Sequence, residues 1–426
     1  MKKYIKETLK FVLRSRPFTA KYVREIEAMY AMAPEQLRTR NEERFLKIFR
    51  KAFDHSPFYH KLYTEAGISR EDIRSLDDMK RLPVVTKEMI KKHGAEMVTT
   101  PKWKLLKNYT SGTTGSPLIV YEDWQSIWRE QAYFECYRRR CGYRYGEPMV
   151  SLRGNLTKED PPLKVHVSNT LYLSSYNINA STIEQYHRLI THHQPVAIEG
   201  YPSSLYALAL QLKDAGLRLK IPVAFTSSET LLDYQRSLIE KMLGTQVYDH
   251  YGTTERTIRL SEAIDHSGYF EDPGYSINEY TADGEITTSL INESFPLIRY
   301  VGSDLVELNE GDERVKIKRI VGRMEDHIVC KDGSRVTRID FVEEGSHIKA
   351  TQWIQEHPGQ LTVKIVPDDG FTEADKQFVV EETLKRVGKG NIDLSVELVS
   401  MDGLEYTPSG KQRTVMSKVK KKIKEK

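Results

Sequence analysis

The sequence predicts an α/β protein in two parts: a large N-terminal domain of helix-covered parallel sheets with a small β-barrel-like part, and a small C-terminal α/β domain. Three observations lead there. Short apolar runs alternate with amphipathic stretches between about 105 and 250, residues 275 to 320 turn strand-rich, and α/β alternation resumes past Gly322. At 426 residues the chain is also longer than one domain usually runs. The pattern changes at about Arg323, which separates an N-terminal domain over 1–322 from a C-terminal one over 327–426.

Residues 1 to about 100 read as helices. "TAKYVREIEAMYAMA" and "NEERFLKIFRKAFDH" repeat apolar residues at three- and four-residue spacing. Turn signals at Gly67, Asp77 and Pro83 break the next stretch into short helices. "PMVSL", "PVAIEG", "IPVAFTSS" and "TQVYDHYG" then read as buried strands. Between them lie four helical patterns, beginning with "DWQSIWREQAYFECYRRR". Such alternation predicts a parallel sheet with ligands at the carboxyl ends of its strands. "YSINEYT", "GEITTSL", "PLIRYVGSDLVEL" and "ERVKIKRI", joined by Asp-Gly or Glu-Gly turns, read as a meander or a small barrel. The C-terminal block follows with "DHIVCKDGSRV", "QLTVKIVP", the helix "TEADKQFVVEETLKRVG" and "DLSVELV".

Hydrophobic residues make up 39% and charged residues 29%, a globular balance, and the net charge of +4 is too small to argue for nucleic acid. The excess is local: six lysines between Lys418 and Lys426 form a solvated run. Three cysteines, Cys136, Cys141 and Cys330, make neither a disulfide framework nor a zinc site, so a reducing compartment is expected. The N-terminus lacks the apolar core of a signal peptide and no run approaches about 18 apolar residues. A cytoplasmic protein without a transmembrane segment is the expectation.

Five short strings carry chemistry. "NYTSGTTGSP", Asn108 to Pro117, offers Thr110, Ser111, Gly112, Thr113, Thr114 and Gly115. Its amides and hydroxyls could surround phosphate oxygens, yet the string also suits an ordinary polar turn, and it lacks the lysine of a Walker loop. In "YGTTE", Tyr251 could stack on a base, Thr254 could hydrogen-bond a phosphate and Glu255 could give Mg²⁺ a hard oxygen ligand. A common Tyr-Gly loop reads the same way. Asp304 of "PLIRYVGSD" equally suits a turn cap. "VGRMEDHIV" contains Arg323, and "TPSGKQRTV" projects Lys411 from a tight turn as a point charge, or as one more surface lysine.

Together the five strings resemble the adenylate-forming enzymes: acyl-coenzyme A synthetases, luciferases and nonribosomal peptide adenylation domains. "YTSGTTGSP" matches that family's signature loop, and the others follow in its order. The resemblance implies ATP and Mg²⁺ as cofactors, with residues 110–115, Tyr251, Gly252, Thr253 and Thr254 about the nucleotide and Glu255 holding the metal. Asp304 would accept from the ribose hydroxyls, and Arg323 would reach ribose or phosphate. Residues 323–326 would be a hinge for a mobile C-terminal domain, with Glu325-Asp326 where many relatives have Asp-Asp. Lys411 would be the catalytic lysine. "IEGYPSSLYALA" and the run from Phe225 to Glu255 narrow the likeness to the phenylacetate–coenzyme A ligase-like group, which includes capsule-associated members. There Ser228 and Glu229 would line the adenine pocket, although Ser and Glu also suit the start of a helix at Leu231.

The acid pocket is less legible. Tyr133, Phe134 and Tyr137 fall on a helix in the region that lines the aryl pocket of phenylacetate-activating relatives, and aromatics at this spacing also suit plain core. The resemblance implies activation of a small-molecule carboxylic acid to an acyl adenylate, then transfer to coenzyme A. An amine or a sugar hydroxyl is the alternative acceptor, and a non-catalytic nucleotide-binding protein is the reading from another class. A homodimer is a further expectation of the resemblance.

Overall fold

The computed structural model describes residues 2–109, 118–152, 156–157, 159–281, 284–302, 304–310, 314–323, 328–336, 347–406 and 412–419. Five helices open the chain: α1 (Lys2–Leu13), α2 (Arg16–Tyr30), α3 (Pro34–His55), α4 (Pro57–Glu65) and α5 (Lys87–His93). Proline stands in the first turn of α2, α3 and α4, where its missing N–H costs nothing. On α3 the residues Phe45, Ile48, Phe49 and Ala52 recur along one face and are all buried. They join Tyr59 and Tyr63 of α4 in a core shared with Phe295, Leu297 and Ile298.

A hairpin follows, β1 (Leu106–Tyr109) with β2 (Ile119–Glu122), paired from Leu106↔Glu122 to Tyr109↔Ile119. Asp123 caps α6 (Trp124–Arg140) by accepting from the Ser126 amide at 2.8 Å. The next elements are β3 (Met149–Leu152), β4 (Leu163–Val165), β5 (Thr170–Tyr172), α7 (Ile183–His193), β6 (Ala197–Gly200) and α8 (Pro202–Asp214). Then come β7 (Val223–Ser227), α9 (Asp233–Leu243), β8 (Gln246–Gly252), β9 (Arg259–Glu262) and β10 (Tyr269–Glu271). β3, β6, β7 and β8 lie side by side and run parallel, with β5 parallel on the far side of β3, as expected of strands joined by crossover helices. β3, β6 and β7 are apolar and largely buried because α7, α8 and α9 cover the sheet.

The strand-rich region takes the meander form. β11 (Ser276–Thr281), β12 (Gly284–Ser289) and β13 (Tyr300–Val301) make a three-stranded antiparallel sheet. β14 (Asp304–Leu308) and β15 (Ile317–Arg323) leave it and extend the large sheet antiparallel through β10, where Tyr269 pairs Ile317. Among the described residues that sheet has ten strands, ordered β14-β15-β10-β9-β8-β7-β6-β3-β5-β4. Among the described residues the strand-rich region is thus divided between the three-stranded sheet and the edge of the large one.

Beyond a short hairpin, β16 (Ile328–Val329) with β17 (Arg335–Val336), lies a separate four-stranded sheet. It contains β18 (Ile348–Gln355), β19 (Gln360–Pro367), β20 (Asp393–Leu398) and β21 (Val415–Ser417), in the order β20-β19-β18-β21. α10 (Glu373–Val387) begins with a Thr372/Asp375 capping box and covers Trp353, whose indole N–H donates to Thr383 at 3.2 Å. This sheet meets α8 through polar contacts. Lys349 lies 3.1 Å from Asp214 and 3.5 Å from Asp368, and Lys213 lies 2.9 Å from Asp368. The three cysteines are free and buried, and burial pushes the thiols of Cys136 and Cys141 up to about 12. Among the described residues no helix is long and apolar enough to cross a membrane.

Candidate active site

β7 and β8 lie side by side, so their carboxyl ends deliver two predicted segments to one edge of the sheet. At the end of β7, Ser228 takes a left-handed backbone, φ 73°, which costs a non-glycine residue roughly 1–3 kcal/mol and marks a tight, imposed turn. Glu229 follows, and it does not start a helix: α9 begins at Asp233. Its carboxylate instead accepts from the Ser203 amide at the N-terminus of α8, at 3.0 Å, where the helix dipole favours an anion. The other oxygen accepts from the amide of Gln412 at 2.9 Å. Glu229 thus ties the C-terminal lobe to the end of β7 through the residue that follows Lys411 in sequence.

At the end of β8, Tyr251 to Glu255 turn sharply, with the Arg256 amide donating to Thr253 O at 3.0 Å. Arg256 itself is left-handed, φ 56°, and its guanidinium is buried. It pairs with Glu122 of β2 and donates to Ser126 O at 3.0 Å. This pair clamps the Tyr251–Glu255 turn to the strand that follows residues 110–117. Motif reading missed both residues, because Arg256 lies just past its motif and Glu122 belongs to none. The adjacency of Arg256 to Glu255 was the only signal.

The Tyr251 hydroxyl hydrogen-bonds the Asp304 carboxylate, and Asp304 pairs in register with Arg323 across β14 and β15. Two residues expected near one ribose are therefore opposite each other, although only the backbone of Arg323 is described. Behind them lies an acidic group. Glu285 accepts from the Asp304 amide at 2.9 Å, and the Tyr300 hydroxyl lies 3.4 Å from Glu255. Burial, then the charges of Asp304 and Glu255, push the Glu285 carboxyl up to about 8. Gly302 leaves room for this carboxylate, since a Cβ there would fall 1.9 Å from Glu285 Oε1 and displace it.

That shift predicts a pH dependence. The folded state keeps a proton on Glu285 that the unfolded chain releases at about 4.5. Stability from this group is complete below that pH and is lost as pH rises toward about 8. Glu285→Gln should remove the slope, so its melting temperature gains on wild type between pH 5 and pH 9. Parallel curves over that range would refute the assignment.

The three aromatics of α6 are divided. Tyr133 is buried against Tyr22, Ile26 and Tyr275, and its hydroxyl donates to Pro273 O at 2.8 Å. Tyr137 is buried with Phe225 and Tyr248 and donates to Asp249 O at 2.7 Å. Phe134 is half-buried, edge-on to His250 and under the guanidinium of Arg259, 4.1 Å from the ring centre. Of the three, Phe134 is the one that is not fully buried, and Tyr133 lines a cavity between α2, α3 and α6. Nearby Arg138 pairs with Glu199, which also accepts from Ser151 at 2.9 Å, so the neighbourhood is polar as well as aromatic.

Thr110, Ser111, Gly112, Thr113, Thr114, Gly115 and Lys411 lie outside the described residues. The flanks of the first loop do not: Tyr109 and Ile119 are register partners. Among the described residues no group of three or more His, Cys, Asp or Glu is arranged to hold a metal. A single carboxylate such as Glu255 nonetheless suits Mg²⁺, which takes one or two protein oxygens and completes its shell with phosphates and water.

Comparison with known proteins places the site in context. The sequence profile of the CapK C-terminal domain matches residues 328–418. Protein CapK of Staphylococcus aureus is 26% identical over 442 aligned residues, covering 96% of this chain and 95% of its own. Phenylacetate-coenzyme A ligase of Pseudomonas putida is 26% identical over 336, covering 72% of this chain and 75% of its own. The crystal structure of 2-hydroxyisobutyryl-CoA ligase in the postadenylation state, in complex with 2-HIB-AMP, superposes with a TM-score of 0.70 at 18% identity, covering 91% of this chain and 90% of that one.

Proposed function

We propose that this chain is an adenylate-forming enzyme of the phenylacetate–coenzyme A ligase-like branch, which activates a small carboxylic acid with ATP and passes the acyl group to coenzyme A. The carboxylate oxygen attacks the α-phosphorus and pyrophosphate leaves, giving the acyl adenylate. The thiol then attacks the acyl carbon, AMP leaves, and the thiol proton is released to solvent. The observation that carries this reading is the convergence at one sheet edge of Tyr251, Glu255, Asp304 and the Glu229–Gln412 contact.

Tyr251 and Asp304 hold the nucleoside, Thr253 and Thr254 face phosphate oxygens, and Ser228 and Glu229 shape the turn beside the base. Mg²⁺ on Glu255 supplies positive charge to the phosphates when bound. Residues 110–115 contribute amides and hydroxyls, and Arg323 reaches the ribose or phosphate. Residues 323–326 form the hinge between a domain over 1–322 and one over 327–426, and rotation there withdraws Lys411 after the first step.

A second reading, transfer to an amine or to a sugar hydroxyl of a cell-envelope building block, draws support from the near full-length match to CapK. One assay separates the readings: pyrophosphate exchange into ATP over a panel of aryl, fatty, amino and hydroxy acids, followed by AMP release with and without coenzyme A. Exchange with at least one acid and thiol-dependent AMP release are expected. AMP release with an amine or alcohol alone selects the second reading. No exchange with any acid and no ATP binding would sink both.

A further inference from the structure

A cavity of about 250 Å³ opens between α2, α3 and α6, on ground that no part of the nucleotide site uses. Ile26, Met29 and Ile291 give it an apolar wall, and Tyr22, Arg44 and Arg129 line its polar side. Arg44 uses two of its nitrogens, donating from Nε to Leu290 O at 2.9 Å and pairing through Nη1 with Glu293. Its Nη2 is buried with no hydrogen-bond partner among the described residues, and so is the hydroxyl of Tyr22, a residue only 2% exposed. A buried donor left unpaired costs about 1–3 kcal/mol, so two in one cavity call for an acceptor.

Charge points the same way. Glu293 faces three cations, Arg44, Lys47 at 3.2 Å and Arg129 at 3.9 Å, and with Glu25, Glu43 and Arg40 also at the cavity four cations there meet three carboxylates. Arg129 also stands 5.1 Å from the centre of the Tyr22 ring. Glu25 and Glu43 line the cavity too, but Glu25 is engaged by Arg40 at 3.9 Å. Burial and the neighbouring Arg129 lower the Arg44 pKa, the sign of a cation short of counter-charge. The volume exceeds the roughly 150 Å³ that holds a benzene ring, leaving room for a head group.

We propose that this cavity is a second ligand site, for a small organic anion whose oxyanion head accepts from Arg44 Nη2 and the Tyr22 hydroxyl while its apolar body lies on Ile26 and Met29. A carboxylate and a phosphate monoester share this chemistry. Calorimetric titration of the intact chain with phenyl phosphate, benzoate and uncharged benzyl alcohol distinguishes the heads.

One saturable site for at least one of the two anions is expected, with benzyl alcohol at least tenfold weaker. Arg44→Gln should weaken it at least tenfold and Tyr22→Phe at least threefold, with ATP binding unchanged in both. Tyr22→Phe removes a hydroxyl that makes no hydrogen bond among the described residues, so the fold should survive and the test remains decisive even if Arg44→Gln unfolds. Absence of saturable binding, equal binding of the alcohol, or full affinity in the Tyr22→Phe protein would each overturn the proposal.

Discussion

Lys411→Ala should slow adenylation at least a hundredfold while leaving ATP affinity nearly unchanged. Attack of one anion on another develops charge that must be met by preorganised cations and donors. Loss of one such group typically costs about 3–4 kcal/mol, or 10²–10³ in rate. A lysine ammonium is a compact point charge suited to the reacting phosphate. In the proposed function nucleotide affinity would rest on other residues, Tyr251 and Asp304 among them, which are held together without it. Glu229, by accepting from the Gln412 amide, fastens the neighbouring residue to the end of β7 in the arrangement described. Pyrophosphate exchange reads the first step. Thiol capture from separately prepared acyl adenylate reads the second, which should proceed at the wild-type rate. Unchanged exchange in the variant would mean that the string "TPSGKQRTV" does other work in this chain.

Breaking the Arg256–Glu122 pair should lower folding stability by about 3–5 kcal/mol, because removing one partner strands a buried charge. Arg256 is 8% exposed and Glu122 3% exposed, so neither can turn to water. Burial raises the Glu122 pKa, and Arg256 is the first group that lowers it again. Glu122→Met and Arg256→Met should each show the loss in urea unfolding, and combining the two substitutions should recover much of it. The coupling energy of that double-mutant cycle isolates the pair. Losses that simply add would show that the two residues act independently. Activity supplies a second readout, since the pair clamps Tyr251–Glu255 to β2: the single variants should lose exchange activity at temperatures where they remain folded.

Both predictions rest on different kinds of legibility. The parallel strands β3, β6, β7 and β8 could be read from short apolar runs between amphipathic stretches, because a strand buried on both faces needs little else. In the proposed function the chemistry-bearing strings stand out for a similar reason: contacts to a nucleotide would demand particular residue types at short, fixed spacing. Tyr251 and Asp304, picked out singly, meet in the fold.

Reading faltered where a partner is distant. Tyr133, Phe134 and Tyr137 share one helix and one spacing. Whether each faces core or site depended on α2 and Tyr275 near one part of α6 and on β7 and β8 near another. The last two strands of the meander were legible as strands, but not as extensions of the large sheet through β10.

By itself, then, the sequence determined the α/β class, the alternation of its strands and helices, and the strings that resemble the adenylate-forming enzymes. Local periodicity and residue chemistry are properties of neighbours along the chain. The tertiary structure alone decided that Arg256 would be matched by Glu122, that Glu229 would hold Gln412, and that Tyr22 and Arg44 would share a cavity. Each of these depends on desolvating groups that only folding brings together, and no spacing along the chain records such a cost.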